Sequence, residues 1–473
     1  MKANTHHINS FNVENTNLRK TILSLSLPML LSSLATSIAN VGLPTLTQAL
    51  NASFQQAQWV VLAYLLAITT SAISIGRMGD IIDKRLLLKA GVGLFSVASV
   101  GCALAPNMEV LIAARILQGL GAAAMMTLTL ALVGETVSPE KTGRVMGMLG
   151  TVSAIGTALG PSLGGILIAG FGWPAMFLIN IPFGLLALLL ISRYLPCNRT
   201  TFSQLQSGFD PIGMLLLGLT LALYALSMTW GHGRFDTRNL ALLAAAAIGV
   251  GLFSKVEKRA KFPLIQTAMM RHSVLRSSLI MSTLVTTIMM TTLIVGPFYL
   301  SRVLGLPAQW VGLAMSAGPI VAALSGIPAG YGVDKLGAQI MVTSGLVGVT
   351  FGATILAIIP TAWGVAGYVV PVCLITAGYA IFQTANNTQM IKSVRADQRG
   401  VVSGMLNLSR NLGLITGASV MGAIFAFASA SQDIQLAAAM DISQGMQLTY
   451  GVAALLATIA LGISVIHLRN KSN

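Results

Sequence analysis

Hydrophobic residues in this chain fall in long blocks with few charges, separated by short polar stretches. The blocks lie near 21–41, 58–78, 86–104, 108–131, 145–169, 173–192, 212–230, 239–256, 277–300, 308–330, 338–359, 365–388, 402–428 and 447–468. Crossing a bilayer takes about 20 such residues in a helix. Backbone groups in lipid must be paired internally, so each block is expected to be helical. The pattern predicts an all-α integral membrane protein with about fourteen transmembrane helices. The first block is too long for the apolar core of a signal peptide and lacks a small-residue cleavage site in a polar context, so it reads as the first span.

Composition agrees: 55% of residues are hydrophobic and only 9% charged, too few charges to cover a soluble protein of this length. The charges also orient the chain. Lys2, Arg19 and Lys20 precede the first block. Lys84, Arg85 and Lys89 follow the second, Lys141 and Arg144 the fourth, and Arg193 and Arg199 the sixth. Lys255, Lys258, Arg259, Lys261, Arg271 and Arg276 follow the eighth. Lys335, then Lys392, Arg395 and Arg399, then Arg469 and Lys471 follow the tenth, twelfth and last. The alternate loops hold only Arg234, Arg238 and Arg302. With an even count this is the positive-inside pattern, and both termini are expected to be cytoplasmic. The net charge of +15 is spread over those loops, where it sets topology and meets anionic membrane lipid, so no nucleic-acid partner is expected. Cys102, Cys197 and Cys373 give neither metal spacing nor a disulfide framework.

A loop pattern occurs twice. After the second block the chain reads Gly76-Arg-Met-Gly-Asp80-Ile-Ile-Asp83-Lys84-Arg85; after the tenth it reads Gly326-Ile-Pro-Ala-Gly330-Tyr-Gly-Val-Asp334-Lys335. Glycine is expected to serve a tight loop there, and Asp to cap a helix or pair with the following cations. Equivalent halves are a sign of a transporter built from repeats. The expected division is a cytoplasmic segment 1–20, a six-helix half 21–200, an inserted helix pair with its loop 201–274, and a second six-helix half with a tail 275–473.

At this point the chain resembles the major facilitator superfamily, in particular its fourteen-helix drug:proton antiporter branch. Gly76, Asp80, Lys84 and Arg85 fit the family's loop motif, with Asp83 where the motif has Gly. Arg115-Ile-Leu-Gln118-Gly119 fits the motif of the fourth helix, and Gly156-Thr-Ala-Leu-Gly160-Pro161-Ser-Leu-Gly164-Gly165 the antiporter motif of the fifth. Trp173-Pro-Ala-Met-Phe177-Leu-Ile-Asn180-Ile-Pro182 resembles the branch signature at the sixth. The resemblance implies alternating access and proton-coupled antiport.

Coupling and gating are expected from Arg115, Gln118, Asp80, Arg85, Gly160, Pro161, Gly164 and Arg410. Arg115 lies inside an apolar block, where a cation is expensive and needs interior partners. The competing reading is an Arg near a helix end whose head reaches the interface. Gly156, Gly160 and Gly164, four apart, share a face that allows backbone-to-backbone contact, and Pro161 is expected to bend the helix. Gly413 and Gly417 repeat the stripe behind Arg410. The first helix departs from the branch: Ala35 stands where the resemblance calls for Asp. A membrane carboxylate is the usual proton carrier, and none falls clearly at mid-helix. Substrates are therefore expected to be neutral, zwitterionic or anionic rather than lipophilic cations. Substrate-binding candidates are the polar or aromatic groups inside apolar blocks: Asn40, Tyr64, Tyr379, Gln383, Asn386 and Asn407.

The expected function is export of small amphipathic organic compounds, of the multidrug efflux type, by a monomer in a bacterial inner membrane. Partners are the small-molecule substrate and protons, with no cofactor and no metal. Alternatives are a dedicated exporter of one neutral or anionic metabolite and a transport-inactive membrane sensor. An enzyme is not expected, since there is no nucleophile–base pair, and no Gly-x-x-x-x-Gly-Lys-Ser/Thr loop marks an ATP-driven pump.

Overall fold

Each apolar block becomes helix, because in lipid a helix alone satisfies a segment's backbone from within. The computed structural model describes residues 3–52, 54–195, 211–229, 236–260, 272–306, 308–429 and 438–472. In chain order the helices are α1 (Ala3–Ala49), α2 (Phe54–Ile81), α3 (Lys84–Ala103), α4 (Met108–Thr136), α5 (Thr142–Phe171), α6 (Ala175–Leu178) and α7 (Asn180–Tyr194). Then come α8 (Pro211–Thr229), α9 (Thr237–Glu257), α10 (Ser273–Phe298), α11 (Ala308–Leu336), α12 (Ala338–Ile358), α13 (Gly364–Lys392), α14 (Arg399–Ala428) and α15 (Ala439–Ser472). No strand occurs among the described residues.

Local chemistry sets several ends. Asp83 caps α3 by accepting the Arg85 amide at 2.8 Å, and Asn107 caps α4 by accepting the Val110 amide at 3.0 Å. The sixth predicted block is realised as the short α6 followed by α7. Helix α5 consists of two pieces, Thr142–Gly160 and Leu163–Phe171, set 40° apart. Helix α10 contains Pro297 and runs into a π-turn, Tyr299–Val303.

Among the described residues, eleven helices are long and apolar enough to cross a membrane, and twelve if the bent α5 is one span. The protein is thus a multi-pass membrane protein. The expected count of about fourteen further requires α8, whose apolar stretch Leu215–Met228 is short, and α14, whose first half carries Arg399, Asn407, Arg410 and Asn411.

The chain forms two compact units. Unit 1 comprises Met1–Ser207 with Ala396–Ser403, and unit 2 comprises Gly208–Arg395 with Gly404–Asn473. Helices α8 and α9 pack on each other, with Thr220 against Gly249, and belong to unit 2, where the Tyr224 hydroxyl meets that of Thr416 on α14.

The same packing device recurs in both units. In unit 1, α1 and α5 touch at Gly156, where a Cβ would lie 2.8 Å from the Leu30 carbonyl oxygen, and at Gly160, where it would lie 2.7 Å from the Ser37 Cβ. Ser37 donates to the Gly156 carbonyl at 3.3 Å, and the Ser33 and Ser153 hydroxyls pair at 2.7 Å. In unit 2, α10 and α14 touch at Gly413 and Gly417, where a Cβ would lie 2.5 Å from the Thr283 oxygen and 2.7 Å from the Thr287 oxygen. Thr283 donates to the Ser409 carbonyl and Thr287 to that of Gly413, each at 3.2 Å. A second seam joins α3 to α4 through Gly91 and Gly121, and its counterpart joins α12 to α13 through Gly345 and Gly378. Between apolar helices in lipid, van der Waals packing and interhelical hydrogen bonds replace the hydrophobic effect, and small residues permit both.

Candidate functional site

Two polar clusters are built into unit 1. The first surrounds Arg115, which is fully buried (0% exposed). Its Nε donates to the Val60 carbonyl at 2.8 Å, one terminal nitrogen to Gln118 Oε1 at 2.5 Å, and the other to the Ala35 carbonyl at 3.4 Å. The guanidinium lies 4.0 Å from the centre of the Tyr64 ring, where the ring's negative face favours a cation. Tyr64 donates its hydroxyl to the Ser32 carbonyl at 3.0 Å, and Gln118 donates to Ser99 Oγ at 2.8 Å. One guanidinium on α4 thereby joins α1 and α2 directly, and α3 through Gln118. None of its partners is a carboxylate. The carbonyl it meets on α1 belongs to Ala35, the position at which the family resemblance calls for Asp.

The second cluster lies where α2 meets α3. Lys84 Nζ sits 3.0 Å from Asp80 Oδ1 and 2.8 Å from Glu135 Oε1 on α4. The Asp80 carboxylate accepts the Gly400 amide at 2.8 Å and the Val401 amide at 2.9 Å. Those amides lie in the first turn of α14, and a carboxylate there meets both the orphan donors and the positive end of the helix dipole. Arg399 completes the contact by donating to the Gly134 carbonyl near the end of α4. Gly76, one turn before Asp80, faces Gly400 so closely that any Cβ would strike the Gly400 carbonyl.

This corrects the expectation of a loop motif. Gly76 and Asp80 are helical, as is Asp334, since α2 and α11 run on through these segments. Gly76 serves close packing rather than a special backbone angle; the positive φ lies instead at Gly337, +90°, between α11 and α12. Asp83, standing at a glycine position of the motif, earns its place as the cap of α3. Arg85 lies apart from the Asp80 cluster and donates to the Ser192 carbonyl at the end of α7.

The remaining candidates are not gathered at either cluster. Gly160 and Gly164 are buried on α5, and Gly160 forms the seam with α1. The side chains of Asn40 and Pro161 lie outside the described residues. Tyr379, Gln383 and Asn386, four and three residues apart, share one face of α13 in unit 2. The first two are half-buried, and Asn386 is buried, donating to the Ser278 carbonyl at 3.3 Å. Asn407 and Arg410 are on α14; Asn407 is buried, and Arg410 is half-buried with no hydrogen-bond partner for its Nε.

Sequence reasoning missed the hydroxyls. Ser33 and Ser37 on the first block, and Thr283 and Thr287 on the ninth, are spaced by four opposite the glycine stripes; that matched spacing was the available signal. It also missed Glu135, whose only mark in sequence is its place at the end of an apolar block.

The comparisons agree with this architecture. Residues 25–418 match the family model of the Major Facilitator Superfamily. The chain belongs to that superfamily of membrane transporters, which points to transport rather than catalysis. It is 28% identical over 407 residues to the riboflavin transporter RibZ of Clostridioides difficile, covering 86% of this chain and 88% of that one. It is also 28% identical over 411 residues to the multidrug resistance protein Stp of Mycobacterium tuberculosis, covering 86% and 75%. Among solved structures, the proton:xylose symporter XylE shares the fold, with a TM-score of 0.67, 15% identity and 95% coverage of each chain.

Proposed function

We propose that this transporter exports small amphipathic organic compounds by alternating access, coupled to inward movement of protons, as a member of the fourteen-helix drug:proton antiporter branch. The observation that carries the reading is the pair of matching seams, α1 on α5 and α10 on α14. A bundle clamped within itself moves as a block, the motion that alternating access requires. In this scheme Asp80, which fixes the start of α14 through the Gly400 and Val401 amides, acts in gating. Arg115 keeps α1, α2 and α4 in register while that happens. Helices α8 and α14 count as spans, the termini are cytoplasmic, and 201–274 is the inserted pair between halves 21–200 and 275–473. The protein works as a monomer in a bacterial inner membrane. The stripe of Tyr379, Gln383 and Asn386 lines part of the substrate path.

A second reading, export of one neutral or anionic metabolite, is favoured by the Arg115 cluster, which holds a cation and no carboxylate. RibZ, named as a riboflavin transporter, fits this reading. Uptake into inverted vesicles distinguishes the two. A panel of unrelated dyes and drugs, all moved and all stopped by a protonophore, is the result expected for multidrug export. Movement of one anionic or neutral compound alone favours the second reading, and no uptake of any compound overturns both. A reporter fused after Asn473 should read cytoplasmic; an external reading sinks the even count.

A further inference from the structure

Three cations from three different helices lie at the C-terminal end of α7, against which α1 and α3 both pack. Lys20 Nζ on α1 lies 5.3 Å from the centre of the Tyr194 ring at the end of α7, and the Arg193 guanidinium lies 5.9 Å from the same centre. Arg85 on α3 donates to the carbonyl of Ser192, the residue before Arg193. The meeting point is stitched one turn deeper by Ser24, which donates to the Leu190 carbonyl at 3.2 Å. The helix ends that carry the three cations are thus tied together, α1 to α7 through Ser24 and α3 to α7 through Arg85.

Among the described residues no carboxylate compensates its charge. Among the described residues, neither Lys20 nor Arg193 has a carboxylate partner, and the Arg85 guanidinium donates to a neutral carbonyl. Lys84, beside Arg85 in sequence, shows the contrast, with two carboxylates of its own. Like charges gathered on rigid helix ends repel unless an anion joins them. Each cation keeps donors to spare after the contacts above, since an ammonium has three and a guanidinium five. Tyr194 adds an amphipathic ring of the kind that settles at headgroup depth.

We propose that Lys20, Arg85 and Arg193, at the Ser192–Tyr194 end of α7, form a binding site for the phosphate of an anionic glycerophospholipid. The ring and the neighbouring apolar ends of α1 and α7 would take the first carbons of the acyl chains. Basic pockets between membrane helices hold such headgroups, and guanidinium groups match phosphate oxygens in a fork. The site rests on the proposed cytoplasmic placement of these helix ends, but its test does not depend on transport.

The test is native mass spectrometry of the purified full chain in detergent with added phosphatidylglycerol, cardiolipin or phosphatidylcholine, and separately with inorganic phosphate. The unmodified protein should retain the two anionic lipids and lose phosphatidylcholine. The double variant Lys20→Gln/Arg193→Gln should bind the anionic lipids about 30-fold more weakly, two charges at the usual worth of a basic residue near an anionic surface. Lys258→Gln/Arg259→Gln, which removes the same charge at the end of α9, should bind them as the unmodified protein does. Inorganic phosphate at millimolar concentration should not displace the lipid. Equal loss in both double variants, equal retention of phosphatidylcholine, or displacement by free phosphate would each overturn the proposal. Melting curves of both variants guard against unfolding: should the first pair melt early, Arg193→Lys, which keeps charge and loses the fork, must show partial retention.

Discussion

Replacing Arg115 by Lys removes a fork and keeps a charge, so it isolates what the geometry contributes. The guanidinium spreads three hydrogen bonds over the Val60 carbonyl, Gln118 and the Ala35 carbonyl. An ammonium at the end of a flexible stem holds one of those directions well. Two charge-assisted bonds are then lost, each worth about 1.5 kcal/mol at the low end for such bonds, or about 3 kcal/mol together. For a body the size of Met1–Ser207 that corresponds to a melting point lowered by about 10 °C. Arg115→Ala goes further, because Gln118 Oε1 is left buried with only the weak Cys102 thiol at 3.9 Å as donor, and should abolish transport while the protein still inserts. The assays are thermal unfolding in detergent and uptake into inverted vesicles at matched expression. The Lys variant should melt early and transport at about a tenth of the normal rate. An Ala variant with normal melting and normal transport would show that Arg115 bridges nothing of consequence.

Gly160→Leu and Gly417→Leu should each stop exchange while leaving substrate binding intact, since a leucine cannot fit where a Cβ already meets Ser37 or the Thr287 carbonyl at 2.7 Å; counterflow and equilibrium binding measured side by side decide this, and lost binding with kept exchange would reverse gate and pocket. Asp80→Ala should slow exchange by about tenfold or more with little change in affinity, because the first amides of α14 lose a carboxylate cap and Lys84 loses one of two partners; unchanged turnover would remove Asp80 from the gate. Ala35→Asp should add efflux of lipophilic cations and steepen the dependence on external pH, since position 35 already touches the Arg115 guanidinium through its carbonyl. Ethidium-type dye efflux with and without a protonophore measures it, and strong dication efflux by the unmodified protein would refute the reading of its acidic residues.

Helix positions were readable because a bilayer imposes one length and one backbone solution on every span. The glycine stripes were readable for a related reason: Gly156 and Gly160, four apart, can only share a face. What they would face was not readable, because Ser33 and Ser37 belong to a block far away in sequence. The same holds for Arg115. Its burial followed from the cost of a cation in lipid, but its choice of two backbone carbonyls and the Gln118 side chain over any carboxylate depended on how α1 and α2 lie against α4. Sequence alone places Asp80 in a loop, because glycine signals a turn when nothing else is known. That glycine instead marks a helix crossing is a tertiary fact, carried by Gly400, which lies more than 300 residues along the chain.

Helix α10 is unevenly held, and the imbalance bears on its amide protons. Its middle is bound to α14 through Thr283 and Thr287. Near its end, Pro297 supplies no N–H for the Leu293 carbonyl, the Leu304 amide reaches back five residues to Tyr299, and the Leu306 amide reaches six to Leu300. Local opening is easiest where backbone bonds are fewest and least regular. Deuterium should therefore enter the segment 298–306 long before it enters 283–290. A substrate that slows uptake at the first segment and leaves the second unchanged would report closure at that end of the helix without any label attached to the protein.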